Sequence, residues 1–277
     1  MRLVDTHAHI HDDEFSSDPG ESDAAVERAA GAGVEMIVTL GMNLANSRAA
    51  VEFAARHPGR VLAAAGVHPH NANDATDADL DALAELARDP RVALVGEIGL
   101  DYYRNFSSGD QQVRVIRKQL LTAQRVGKPI AVHAREAHHD MMPLLIDYSR
   151  EMGARLPDGR PLGVMHYFSA DAEHARRYVA LGFVISIHTS VTHPKATQLQ
   201  DVVRATPLEH LVIETDSPFG APQRYRGNRN EPAYVADAAA KVAELQRIDV
   251  GEVARVTTRN AERLLGIAVT SSSGSGR

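Results

Sequence analysis

Residues 4–13 read VDTHAHIHDD, a short apolar start followed by His7, His9 and His11 at every second position. In a β-strand alternate side chains share one face, so His7 and His9 project together like two prongs of a chelate. The plainer reading is a polar strand end with exposed histidines. The rest of the chain decides, because segments of this kind recur. Short β-branched or aliphatic runs stand at RLVDTH, VEMIVTL, VLAAAGVH, VALVGEI, PIAVHA, LGVMHYF, FVISIH and LVIETD, eight in all. Between them lie segments of helical periodicity such as DAAVERAAGAG, LANSRAAVEFAARH, DADLDALAELARD, QQVRVIRKQLLTAQRVG, DAEHARRYVALG and YVADAAAKVAELQR. Several end in Gly or in His-Pro, as helices do. Continuous apolar strands alternating with amphipathic helices indicate a parallel sheet covered by helices. Eight such units predict an α/β fold, a single (β/α)8 TIM barrel. A doubly wound open sheet is the alternative, since strand count alone does not prove closure.

The 277 residues suit one large domain, and no shift of composition marks a boundary. Residues 1–268 are expected to form it, with 269–277 a disordered tail of small polar residues. The loop GARLPDGRPLG, residues 153–163, joins a helix to the next strand and belongs to the barrel's stability face. A formal charge of −6 argues against binding nucleic acid by bulk electrostatics, so a polyanion needs a local site. With no cysteine, a bound metal must use His, Asp or Glu. An immediate N-terminal strand leaves no room for a signal peptide, and no apolar run approaches the ~20 residues of a membrane span. A cytoplasmic protein with no membrane contact and no obligate protein partner is expected.

The functional face of such a barrel lies at the C-terminal ends of its strands. Strand one ends in His7 and His9, strand three in His68, strand four in Glu97, strand five in His133, strand six in His166, and strand eight in Glu214 and Asp216. Each alone reads as an ordinary hydrogen-bonded residue. Together they place His or carboxylate from six strands on one rim, whereas random placement would scatter them over both ends. Four neutral imidazoles and two carboxylates with no thiolate suit Zn²⁺ or Mn²⁺, with Mg²⁺ a further candidate. Six ligands exceed what one open catalytic site uses but suit two ions sharing a bridging carboxylate. Two such ions outweigh two carboxylates, leaving a site that attracts anions.

At this point the residues resemble a known family, the TatD-like metal-dependent hydrolases of the amidohydrolase superfamily. The resemblance runs from DTHAH through GVHPH, GEIGLDYYR, HAREAHHD, GVMHYFS and ETDSPFGAPQRYRGNRNEP to TTRNAERLL, essentially the whole folded chain. It implies His7, His9 and Asp216 on one metal, Glu97 bridging, and His133 with His166 on the second. It also implies a deoxyribonuclease. Departures are mild: Ala8 stands where the family often has Cys, Ala170 where Gly is common, and Leu265 where Phe often closes the last helix.

The chemistry expected is hydrolysis of a DNA phosphodiester by a metal-bound hydroxide, working from a strand end. Asp216 is expected to take the proton of the attacking water, with service as a ligand only as the plainer role. His68 is expected to polarise a phosphoryl oxygen or protonate the leaving group, against a structural histidine positioned by Pro69. Asp101 is expected to orient a ligand histidine or to cap its loop. His11 reads as a rim residue. Arg226, flanked by Arg224 and Arg229, and the helix N-terminal region beyond Asn230 are expected to hold phosphate, while Tyr102, Tyr103 and Arg104 stack on a base or sugar. Charged, solvated loops are the plainer reading of both stretches. The rival functions are a carboxyl ester or amide hydrolase, such as a lactonase, cyclic amidase or misacylated-tRNA deacylase, and a metal-binding scaffold without turnover.

Overall fold

Eight strands pair in chain order into one parallel sheet: β1 (Leu3–Ala8), β2 (Val34–Leu40), β3 (Val61–Ala65), β4 (Val92–Asp101), β5 (Ile130–Arg135), β6 (Gly163–Met165), β7 (Phe183–His188) and β8 (Leu211–Glu214). The structure is a computed structural model and describes residues 1–153, 155–156 and 159–267. Each of the eight apolar runs of the sequence overlaps one of these strands. The sheet closes on itself. His9 N–H donates to Ser217 O (2.7 Å), Asp216 N–H donates to His7 O (2.9 Å), and Asp5 Oδ1 accepts from Thr215 N–H at 2.9 Å while its Oδ2 accepts from Thr215 Oγ1 at 2.6 Å. An open doubly wound sheet would leave two unpaired edges, so the barrel reading holds.

The helices that cover the strands are α1 (Pro19–Gly31), α2 (Leu44–Arg56), α3 (Asp77–Leu86), α4 (Gly109–Val126), α5 (His138–Met152), α6 (Ala172–Ala180), α7 (Thr197–Ala205), α8 (Val235–Gln246) and α9 (Val250–Leu265). Three of them, α5, α7 and α9, lie outside the periodic segments named above. Pro143 interrupts α5, yet its buried Met141, Met142, Leu144, Leu145 and Tyr148 hold the helix on the barrel. Caps begin several others, such as Thr76 and Asp79 in a reciprocal capping box at α3 and Ser108 at α4.

Strand alternation divides the core in two. Leu3, Ile37 and Val95 point outward into the layer between sheet and helices, while Val4, Met36, Val38, Leu94, Ala131, Val164, Val184 and Val212 fill the barrel. Ala261, Leu264 and Leu265 of α9 plug the N-terminal end of this interior. The 153–163 loop belongs to that end, since Arg160 Nε donates to Leu264 O at 3.2 Å. Part of that loop and the expected tail 269–277 lie outside the described residues. The mouth at the other end is left to polar side chains.

Candidate metal centre

Alternation aims His133 and His166 into the mouth, two residues beyond the inward Ala131 and Val164. Two irregularities aim the others. The β1–β2 register shifts between Asp5 and Ala8, and the β4–β5 register between Val95 and Ile98. Each shift flips the parity of the residues beyond it, turning His7 and Glu97 inward. Gly99 permits the close approach of β4 to β5, where a Cβ would stand 1.8 Å from His133 O. Asp216 adopts a left-handed φ of 58°, which Asp tolerates better than most residues, as the chain turns out of β8.

Glu97 is buried at the centre and faces both ways. Its Oε2 lies 3.2 Å from His7 Nε2 and 3.6 Å from His9 Nε2. These two nitrogens are 3.2 Å apart and lie 3.7 and 3.6 Å from Asp216 Oδ1. Donors at ~2.1 Å from one ion stand ~3.4 Å apart in a tetrahedron, so this cradle has the size of a metal site. On the other side, Glu97 Oε1 lies 2.9 Å from His133 Nδ1, 3.4 Å from His68 Nε2 and 3.5 Å from His166 Nε2.

Hydrogen bonds behind the rings decide which nitrogen offers a lone pair. His9 Nδ1–H donates to Leu40 O (3.1 Å), leaving Nε2 free. His133 Nε2–H donates to Asp101 Oδ2 (3.0 Å), leaving Nδ1 free toward Glu97. His166 Nδ1 lies 2.9 Å from Glu214 Oε1, so its Nε2 faces the centre. His68 is fixed the opposite way: its Nδ1 accepts His70 N–H at 3.1 Å, so a neutral His68 carries its proton on Nε2, toward Glu97. Thus, in their neutral forms, three rings present lone pairs and one presents a donor. Asp101 serves both expected purposes, since it takes His133 and His70 on Oδ2 and caps the loop by accepting Tyr103 N–H and Arg104 N–H on Oδ1.

Burial and charge compete here. Burial pushes His7 down to about 3, helped by the neighbouring His166, whose ring stacks on it with centroids 3.3 Å apart. Burial also opposes charge on His166, but Glu214, Glu97 and Asp216 prevail and raise it to about 10. Glu97 is held well below the usual carboxylate range, against its burial, by His166, His68, His7 and His133. Burial lowers His68 to about 4, keeping it neutral. A pocket of carboxylates and convergent lone pairs that confers so high a proton affinity on one imidazole fits a divalent cation.

The centre lies in a cavity of about 810 Å³ whose lining includes Arg104, Phe106, Arg135, Tyr167 and Phe219. The substrate contacts expected from sequence fare unevenly. Arg104 lines the cavity, and Tyr103 stands behind it, its ring carrying the Arg135 guanidinium at 3.9 Å. Tyr102 Oη instead donates to Asp140. Asn230 is corrected: it is fully buried, and its amide donates to Thr189 Oγ1, Thr215 O and Phe219 O, so it braces the loop after β8 and cannot reach a ligand. Arg226 is not among the cavity-lining residues, and its neighbours are engaged, Arg224 with Asp237 and Arg229 with Glu21 and Glu231. His11 is a brace at the rim, bonded to Thr39 Oγ1 and Asn46 Oδ1. Sequence reasoning missed Arg135, although it stands two residues after His133, the spacing that puts both on one strand face. It also gave no role to Glu214, Phe106, Tyr167 or Phe219.

A family model described as TatD related DNase matches residues 4–266. The chain is 38% identical over 265 residues to YabD of Bacillus subtilis, an uncharacterized metal-dependent hydrolase, across 96% of this chain and 99% of that protein. It is 32% identical over 271 residues to the 3′-5′ ssDNA/RNA exonuclease TatD of Escherichia fergusonii, across 96% and 100% of the two chains. Among solved structures, YJJV, a TatD homolog from Escherichia coli K12, superposes with a TM-score of 0.86 at 30% identity, over 96% of this chain and 99% of the other.

Proposed function

The chain belongs to the TatD related DNase family, and from that premise we propose that it is a metal-dependent deoxyribonuclease that hydrolyses phosphodiester bonds from a strand end, using two divalent ions at the barrel mouth. The observation that carries the reading is Glu97, one carboxylate oxygen toward His7 and His9 and the other toward His133 and His166. His7, His9, Asp216 and Glu97 Oε2 would hold one ion; Glu97 Oε1, His133 Nδ1 and His166 Nε2 the other. Bound ions supply Lewis acidity toward phosphoryl oxygen and make water nucleophilic near neutral pH.

The chain's own groups do the rest. Asp216, whose carboxylate stands at the open side of the first cradle, accepts the proton of the attacking water. His68, neutral and with its proton on Nε2, donates a hydrogen bond to a phosphoryl oxygen; a neutral imidazole is too weak an acid to protonate the leaving group well. Arg135 and Arg104 supply the phosphate contacts that Arg226 was expected to make. Relatives such as the Escherichia fergusonii ssDNA/RNA exonuclease support a nucleic acid strand as substrate. The enzyme is taken to be cytoplasmic and without an obligate protein partner. Among the described residues no helix is long and apolar enough to cross a membrane.

The test is a turnover panel on protein reconstituted with Zn²⁺, Mn²⁺ or Mg²⁺, using single-stranded and duplex DNA, an RNA oligomer, a generic phosphodiester and a lactone, with metal counted by elemental analysis. DNA cleavage with close to two equivalents of metal is expected. Turnover of the lactone alone would overturn the nuclease reading, and a ceiling of one equivalent untouched by His133→Ala would overturn the paired ions.

A further inference from the structure

Aromatic residues are scarce in this chain, with seven Tyr, six Phe and no Trp. Six are buried, as their large apolar area favours, and four more are half-buried. Among the described residues only Tyr103, Phe106 and Phe219 are exposed, at 52%, 62% and 47%. All three lie on loops at the catalytic mouth: Tyr103 and Phe106 follow β4, and Phe219 follows β8. Leaving a phenyl ring in water costs stability that a polar residue would not. Among the described residues the exposed aromatic rings, unlike exposed aliphatic residues such as Leu121, all stand at the rim of the candidate centre, which calls for a partner there.

Their placement says what kind. Strands β4 and β8 are four apart in a ring of eight, so Phe106 and Phe219 face the centre from opposite sides. Phe219 stands beside the first cradle, and Phe106 stands on the other side, one ring out from His68. Phe219 meets His9 edge-on with centroids 6.3 Å apart, and Phe106 meets His70 edge-on at 4.9 Å, with His70 itself 4.2 Å from His68. The Phe219 backbone is pinned, its N–H donating to Asp216 O at 2.8 Å and its carbonyl accepting the Asn230 amide at 2.6 Å. The Phe106 carbonyl accepts from Asn73 Nδ2. In the same cavity lining as Phe106, Arg135 lays its guanidinium on the Tyr103 ring and has no carboxylate partner among the described residues. A cation without a counter-charge at the cavity, with fixed aromatic faces on either side, is the make-up of a groove for unpaired nucleotides, where bases stack and phosphates meet cations.

We propose that Phe106 and Phe219 are stacking platforms on opposite sides of the reacting phosphodiester, so that the site grips one unpaired base on each side of the bond it cuts. The inference rests on the phosphodiesterase reading above and adds to it the residues that select the strand. Bases within a duplex are already stacked on their neighbours, so the platforms favour single strands and frayed ends. A nucleotide lacking its base on one side loses one platform and keeps the other.

The test uses the metal-reconstituted full chain and single-stranded oligonucleotides in which one linkage is cleavable and the rest are phosphorothioate, with an abasic residue placed on neither side, the 5′ side or the 3′ side of that linkage. Wild type is expected to lose roughly ten- to hundredfold in kcat/KM for either abasic substrate. Phe219→Ala and Phe106→Ala are expected to lose a similar factor on the full-base substrate, at unchanged metal content, each becoming insensitive to abasic substitution on one side only. Phe219→Trp restores activity. Variants within twofold of wild type on the full-base strand, or as sensitive as wild type to abasic substitution on both sides, would overturn the platforms. A wild-type enzyme that cuts no oligonucleotide but hydrolyses a lactone would overturn the phosphodiesterase reading instead, so the two failures are distinct.

Discussion

The two sides of Glu97 hold their histidines differently. On the β1 side, His9 leans on a neutral carbonyl, Leu40 O, and among the described residues no carboxylate is paired with His7 Nδ1. On the β5–β6 side, both rings are backed by buried carboxylates, His133 by Asp101 and His166 by Glu214. A carboxylate behind an imidazole makes it more basic and fixes its orientation, strengthening it as a ligand. The contrast appears in the stacked pair, where His7 is lowered to about 3 and His166 raised to about 10. On the proposed reading labour would be divided between them: the β5–β6 side would hold its cation more firmly, while the β1–β8 side, with Asp216 as its second carboxylate, would keep a group available for proton transfer.

The severest test of this contrast removes what the two sides share. Glu97→Gln is expected to lower kcat/KM by roughly three orders of magnitude or more and to reduce metal content from about two equivalents to one or none. Steady-state kinetics beside elemental analysis would check it; both ions retained at full activity would mean that Glu97 bridges nothing.

Asp216→Asn probes the β1–β8 side alone. It preserves shape and one coordinating oxygen but removes the charge and the capacity to accept a proton. Turnover is expected to fall by roughly two to four orders, with metal occupancy falling much less. Activity within a few-fold of wild type in excess metal would leave Asp216 a ligand only. For the opposite side, Asp101→Asn should weaken one equivalent of metal by about ten- to a hundredfold while leaving the other near its original affinity. A two-site titration separates these outcomes, and equal weakening of both sites would erase the asymmetry.

The smallest effect is expected from a histidine outside both sides. Burial, aided by His174, lowers His138 to about 4, where its Nδ1 pairs with Tyr178 Oη at 3.0 Å. The folded value lies below the ordinary 6.5, so between the two the unfolded chain binds more protons. This contribution is therefore complete above pH 6.5 and lost as the pH falls toward 4. Against His138→Gln, wild type should lose a few extra degrees of Tm across that interval, while metal content at neutral pH stays equal. Parallel Tm profiles for the two proteins would remove His138 from the account.

Much of the site was legible because the barrel converts sequence order into place. In a parallel β/α repeat every strand runs the same way, so a residue ending an apolar run arrives at the same rim as all the others. His133 and His166 obey that rule directly. Glu97 does not: β4 continues to Asp101, so Glu97 sits within the strand and points inward only because the register shifts after Val95. Asn230 and Arg226 were misplaced for the converse reason. A polar loop residue looks equally ready for a ligand or for a brace, and only its neighbours distinguish the two.

Local periodicity and chain direction, both written in the amino-acid order, set the number and succession of the β/α units, the end of the barrel that carries the chemistry, and the His and carboxylate side chains assembled there. Folding in three dimensions settled which imidazole nitrogen faces inward, which arginine is left without a counter-charge, and how the barrel closes. Those outcomes rest on contacts between residues far apart in the chain, such as Asp5 with Thr215 across 210 positions or His133 with Asp101 across 32. A hydrogen bond's direction and a side chain's burial are properties of the neighbours that folding brings to it, which no local pattern encodes.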